Sequence, residues 1–158
     1  MKTIIARNDE GKKMQEKVSV VITTYGGKQC IENAVRSCLA QTYKNIEIIV
    51  VDDNGLESDA QKATEEMLKP YIETHKIKYI PHTINLNASA ARNTGVSNST
   101  GSFISLLDDD DTYESKKIEY QIEAFENLTP DYGIVYCSMR DYVDGKIYEY
   151  QATTQGEA

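Results

Sequence analysis

Four successive aspartates, Asp108, Asp109, Asp110 and Asp111, form the longest run of like charge in the 158-residue chain, directly after Phe103-Ile104-Ser105-Leu106-Leu107. That apolar run has the length and composition of a buried strand. The acids cannot continue into a core, because adjacent carboxylates repel one another and lose hydration on burial. They therefore mark the carboxyl end of a core strand, the edge where open α/β sheets bind ligands. Alternate side chains of an extended segment share a face, which sets Asp108 and Asp110 on one side and Asp109 on the other. Two such carboxylates, completed by phosphate oxygens and water, suit a hard divalent cation such as Mg²⁺ or Mn²⁺. A plainer role fits the end of the run: Asp111 or Thr112 caps a helix starting near residue 114. Both roles are expected, the earlier acids binding and Asp111 or Thr112 capping.

Two other strand ends carry polar groups. The β-branched run 18–23 (VSVVIT) leads into Thr23-Thr24-Tyr25, and the apolar run 45–51 (NIEIIVV) ends in Asp52-Asp53. The three ends are expected to converge on one edge of the sheet, where nucleotide sites of doubly wound folds lie. The chain has no GxGxxG after the strand at 18–23 and no GxxxxGK[ST], which disfavours a dinucleotide site and a Walker-type phosphate loop. GxSxG is also absent, against an α/β-hydrolase. A bound nucleotide would then be held by side chains and a metal. Tyr25 offers a face for stacking a base, Asp53 an acceptor for base or ribose donors, and Arg92 charge for a diphosphate. Each also has a structural reading: Tyr25 as a half-buried aromatic, Asp53-Asn54-Gly55 as a turn, Arg92 as an ion-pair partner of the acids.

The elements that must position these residues follow from periodicity. A helix is expected from about Lys28 to Gln41, with Ile31, Ala34, Val35, Cys38 and Leu39 on one face. A second spans 58–72, with Ala60, Ala63, Met67, Leu68 and Tyr71 inward and Pro70 distorting its last turn. A short strand at 77–80, a loop at 81–86 and a short helix from Asn87 or Ser89 to Val96 precede the acid-ended strand. Beyond it come a helix at 114–127, a strand at 132–138, and strands 139–143 and 146–150 joined by an Asp144-Gly145 hairpin turn. Continuous apolar strands alternating with amphipathic helices indicate an α/β fold with a mostly parallel central sheet and helices on both faces. Three regions are expected: a flexible leader at 1–16, one domain at 17–150 and a polar tail at 151–158.

Composition narrows the partners. The net charge is −8 and no basic cluster is present, so nucleic acid is not expected to bind. No segment approaches membrane-spanning length and none reads as a signal peptide, which indicates a cytoplasmic protein. Association with the inner face of a membrane, and with a second copy of the chain, stays open. Cys30 and Cys38 lie eight residues apart on one helix, roughly 12 Å of rise, too far to bridge. Both read as small core residues. His75 and His82 have no metal-ligand spacing and read as surface or loop residues.

The order VSVVITTY, SCLAQTYKNIEIIVVDDNG, ASAARNTGVSNSTGSFISLLDDDD resembles the family 2 inverting glycosyltransferases of GT-A fold, over about residues 18–145. The matching pieces are the first strand ending in Thr-Tyr, Gln41-Thr42-Tyr43 before Glu47, Asp52-Asp53, Ala91-Arg92-Asn93-x-Gly95, Gly101 and the DXD-type acids. The resemblance implies a nucleoside diphosphate-sugar donor, of UDP type by preference, with Mg²⁺ or Mn²⁺ bridging the diphosphate. It implies that Thr23 and Tyr25 line the nucleoside pocket and that Asp53 holds the base. Arg92 would meet the diphosphate, Asp108 or Asp109 the ribose, and Asp110 the metal. Asp108-x-Asp110 is the preferred register, with Asp109-x-Asp111 as the alternative. It further implies a glycan or lipid-linked acceptor, polysaccharide synthesis, and a catalytic carboxylate in a later segment. Asp131, Asp141, Asp144 and Glu149 are the later acids, none in a recognisable base motif. The chain is therefore expected to be the donor-binding half of a transferase, truncated at its C-terminus. A nucleotidyltransferase, or a nucleotide-binding module without catalysis, is the competing reading.

Overall fold

The computed structural model describes residues 3–6, 16–26, 30–127 and 133–152. Most of the expected leader and tail, the helix start at Lys28 and the candidate base Asp131 lie outside the described residues. In chain order the elements are β1 (Thr3–Ala6), β2 (Val18–Thr24), α1 (Ile31–Leu39), β3 (Ile46–Asp52), α2 (Asp59–Glu73) and β4 (Lys78–Pro81). They continue with α3 (Asn87–Ser97), β5 (Phe103–Asp108), α4 (Lys117–Glu126), β6 (Ile134–Tyr136), β7 (Met139–Val143) and β8 (Lys146–Tyr150).

The main sheet has the order β4-β3-β2-β5-β1-β6, and its first four strands are parallel. β1 pairs antiparallel with β5 on one side and β6 on the other. Residues 3–6, expected within a flexible leader, are thus an inner strand of the sheet. The Ile4-Ile5 pair is too short an apolar signal to mark a strand in sequence.

From β2 the chain steps outward through α1 and α2 to β3 and β4, then returns through α3 to β5 on the other side of β2. Right-handed crossovers running in opposite directions put their helices on opposite faces. Val18, Val20 and Ile22 accordingly share a core with Ile31, Ala34, Val35 and Cys38 of α1, Leu68 of α2, and Ile118 and Ile122 of α4. On the other face Ile49 and Val51 pack with Ala91 of α3. Both faces are covered, as the continuous apolar strands require, and the reversal between β2 and β5 is where such folds open a binding crevice.

α3 lies very close to β2. A Cβ on Gly95 would fall 2.2 Å from Val21 Cγ1, so only glycine permits this approach.

Several local expectations are corrected. α4 begins at Lys117, three residues late, and its N-cap Lys116 makes no side-chain cap bond. Asp111 and Thr112 do not cap it. Gln41, 1% exposed, does that work: its Oε1 accepts the Ile118 N–H at 3.1 Å and its Nε2 donates to Glu114 O at 2.8 Å. In α2 the buried positions are Gln61, Thr64 and Leu68, while Ala63 is exposed. Its Ser58 cap is present, accepting the Gln61 N–H at 3.1 Å. Cys38 is buried, but Cys30 is exposed because it precedes the first inward residue of α1. β6 is only three residues long. The β7–β8 hairpin matches its expected bounds, with Asp144 at φ 49° and Gly145 at φ 73°, the conformation of a two-residue primed turn.

Candidate functional site

Parallel register brings the polar strand ends together. Thr23 is paired with Asp108, and Thr24 with Asp52, at the carboxyl edges of β2, β5 and β3. A cleft of about 550 Å³ opens there, lined by Thr23, Thr24, Tyr25, Asp53, Asn85, Asn87, Ala88, Ala91, Arg92, Asp108, Asp109 and Asp110. The strand tips and the α3 guanidinium therefore surround one space. Asp111 is not part of the lining.

The acids differ sharply in environment. Asp108 ends β5 and is exposed; Asp109 is buried; Asp110 is exposed. The alternation expected for an extended segment is kept through the start of the turn, which closes by a 3.2 Å bond from Asp111 N to Asp108 O. Thr24 Oγ1 donates to Asp109 Oδ2 at 2.7 Å, tying the tips of β2 and β5. Downstream, Tyr113 anchors the segment: its hydroxyl donates to Leu106 O at 2.7 Å, and its N–H to Ser37 Oγ at 3.0 Å. Burial of its ring pushes the Tyr113 hydroxyl pKa well up, so it stays protonated.

Arg92 reaches across from α3, its Nη2 2.7 Å from Asp108 Oδ1, with both side chains partly exposed. An ion pair this open to solvent is worth at most about 1 kcal/mol. Arg92 can exchange Asp108 for another anion at little cost. The lining carries four carboxylates against one guanidinium, an excess of three negative charges. A polyanion would be repelled from such a cleft unless a cation entered with it.

Asp53 is 2% exposed and built into its loop. Its Oδ1 accepts the Leu86 N–H at 2.8 Å and faces His82 Nδ1 at 2.7 Å. Its Oδ2 accepts from Asn85 Nδ2 at 3.0 Å. Sequence reasoning placed His82 on the surface, yet it is buried, with Nε2 2.9 Å from Thr94 Oγ1. A single polar residue in a loop gives no periodicity to read, and only the fold shows that 82 meets 53. Asn85 and Asn87 were missed for the same reason. Tyr25, in contrast, is 61% exposed at the cleft mouth, not half-buried.

Other residues of the resemblance are scaffold. Glu47 Oε1 accepts from Ser19 Oγ at 2.5 Å and Thr100 N at 2.6 Å, and Gly101 N donates to Ser19 Oγ at 2.9 Å. This network fixes the α3–β5 turn at the end of β2 opposite the cleft. Burial alone would raise the Glu47 pKa, but bonds from Ser19, Thr100 and Lys17 outweigh it and hold the carboxyl at about 2.

Comparison with known proteins gives the family. The glycosyl transferase family 2 description matches residues 19–156. The chain belongs to that family. A Rickettsia bellii uncharacterized glycosyltransferase is 36% identical over 84% of this chain and 18% of its own length. The Escherichia coli UDP-Glc:alpha-D-GlcNAc-diphosphoundecaprenol beta-1,3-glucosyltransferase WfgD is 30% identical over 87% of this chain and 53% of its own. Among solved structures, a Pyrobaculum calidifontis mannosyltransferase in complex with GDP-Man and Mn²⁺ shares the fold at a TM-score of 0.66 and 22% identity, covering 79% of this chain and 36% of that one. The chain thus spans about a fifth to half the length of these relatives. The expected GT-A architecture of family 2 is the one observed. A nucleotidyltransferase is set aside.

Proposed function

We propose that the cleft binds the nucleoside diphosphate-sugar donor of an inverting glycosyltransferase, together with Mg²⁺ or Mn²⁺. The carrying observation is convergence: Thr23, Tyr25, Asp53, Arg92, Asp108, Asp109 and Asp110 line one space at a strand-order reversal. In this reading Tyr25 stacks on the base and Thr23 flanks the nucleoside. Asp53 accepts from a base N–H. Asp109, turned in and held by Thr24, sets the distance between the β2 and β5 tips for the ribose. Arg92 leaves Asp108 for the diphosphate, which frees Asp108 to act with Asp110.

The donor chemistry of the acids fits a hard cation. Among the described residues no group of three or more His, Cys, Asp or Glu could hold a metal by itself, so Asp108 and Asp110 would share it with diphosphate oxygens and water. The cation would neutralise charge developing on the departing diphosphate. The exposure of Asp110, and the absence of Asp111 from the lining, support the Asp108-x-Asp110 register over Asp109-x-Asp111.

Inverting transfer needs a base to take the acceptor hydroxyl's proton. Asp141, Asp144 and Glu149 sit on the β7–β8 hairpin and do not line the cleft, and Glu149 accepts from Arg140 at 3.0 Å. Every carboxylate that does line it has a role in holding the donor. We therefore expect the 158-residue chain to bind donor and to transfer sugar poorly. The acceptor we favour is a lipid-linked glycan at the inner face of a membrane, by likeness to the E. coli relative's named acceptor. The chain would sit there peripherally, since no helix among the described residues is long and apolar enough to cross a membrane. Melting temperature is the test: UDP or GDP with Mn²⁺ should raise it, and diphosphate without metal should raise it far less. No response to any nucleotide would leave only a non-catalytic module.

A further inference from the structure

Asp53 has little acceptor capacity left. An ionised carboxylate offers about four lone-pair sites, two on each oxygen. Oδ1 uses both, for the Leu86 N–H at 2.8 Å and for His82 Nδ1 at 2.7 Å. Oδ2 uses one, for Asn85 Nδ2 at 3.0 Å. One acceptor site therefore remains, on Oδ2, in a residue that lines the cleft.

His82 is the group that completes Oδ1. A carboxylate only accepts, so the His82 Nδ1 carries the proton toward Asp53, and in the neutral ring Nε2 accepts from the Thr94 hydroxyl 2.9 Å away. The ring is thus fixed at both nitrogens, between the β3 loop and α3.

The consequence concerns the base. Guanine presents two adjacent N–H donors and is matched by a carboxylate with both oxygens open. Uracil presents one ring N–H between two carbonyls. Cytosine and adenine present a ring acceptor there, which a carboxylate repels. We propose that His82 is a specificity-positioning residue: by filling Oδ1 it leaves Asp53 a single-acceptor reader that selects a uracil-class base over guanine. This rests on the nucleotide reading of the cleft and names the base it takes.

Guanine would bury one donor unpaired, a loss of roughly five- to 150-fold in affinity. Calorimetric titration of the whole chain with UDP, GDP and CDP in the presence of Mn²⁺ tests this. Wild type should bind UDP at least about fivefold tighter than GDP, with CDP weakest. His82→Leu fills the space without a donor, so Oδ1, still accepting the Leu86 N–H, regains one acceptor site and Asp53 has one open on each oxygen; the UDP/GDP ratio should shrink toward one. His82→Asn, whose Nδ2 stands near the Nδ1 position, should keep the ratio. A merely structural histidine would weaken both nucleotides alike, and an unchanged ratio in a folded His82→Leu chain overturns the proposal. If the variants do not fold, wild type decides: GDP binding as tightly as UDP overturns this inference alone. Failure of every nucleoside diphosphate to bind overturns the cleft reading, and this inference with it.

Discussion

Substituting Gly95 should damage both fold and site, and the structure sets the size of the effect. An alanine Cβ at this position would lie 2.2 Å from Val21 Cγ1, 3.0 Å from Cγ2 and 3.2 Å from Val21 Cβ. Non-bonded carbons prefer about 3.5–4.0 Å, so the gap must open by about 1.5 Å. Rotating Val21 does not relieve this, because both methyls and the Cβ are close. α3 must move instead, and it carries Arg92 to Asp108. Overpacking of this kind costs about 1–3 kcal/mol, toward the upper end here, while alanine recovers about 1 kcal/mol of helix propensity. The net expectation for Gly95→Ala is a loss of about 2 kcal/mol, or about 4–8 °C in Tm for a domain of this size. Urea denaturation measures it. Val21→Ala removes both opposing methyls, and the double variant should be more stable than the sum of the singles by at least about 1 kcal/mol. A fully stable Gly95→Ala chain, or strict additivity with Val21→Ala, would refute the close approach of α3 to β2.

Three further expectations follow from the same contacts. Because the folded Glu47 pKa is depressed to about 2, its stabilisation is complete above its ordinary range near 4.5 and is lost as pH falls from there toward 2. Glu47→Gln should lower stability at pH 7 by about 2 kcal/mol, allowing for partial exposure, and flatten the acid limb of a Tm-versus-pH curve. Gln41→Ala removes the cap of α4 and two donor bonds, which should cost about 1–2 kcal/mol in urea denaturation. Arg92→Ala should weaken nucleoside diphosphate binding by roughly tenfold or more and shift Tm by less than about 2 °C, since its partner Asp108 is half exposed.

Strands and helices with long apolar patterns were readable from residue order alone. The runs at 18–23, 45–51 and 103–107 announced buried parallel strands, and the stripe Ile31, Ala34, Val35, Cys38 announced α1. The acid run announced the carboxyl edge, because four carboxylates have nowhere else to go. Gathering of Thr23, Asp53 and Asp108 followed from topology once a doubly wound sheet was inferred, whereas the place of Arg92 beside them came from the family resemblance. What pattern could not reach was contact between segments distant in sequence. Gln41 capping α4, His82 beneath Asp53 and the Glu47 network each join residues 28 or more positions apart, and none has a local signature. β1 was missed for another reason: four residues with two isoleucines carry too little alternation to mark a strand.

The account turns on a cation shared between the acid turn and a diphosphate. Crystals of the chain soaked with UDP and Mn²⁺ and measured at the manganese absorption edge locate that cation directly. One anomalous peak within about 2.5 Å of Asp110 oxygens, touching diphosphate oxygens and lying on the Asp108 side of the cleft, is the predicted result. A diphosphate bound with no metal beside Asp110, or manganese held elsewhere on the chain, would contradict it.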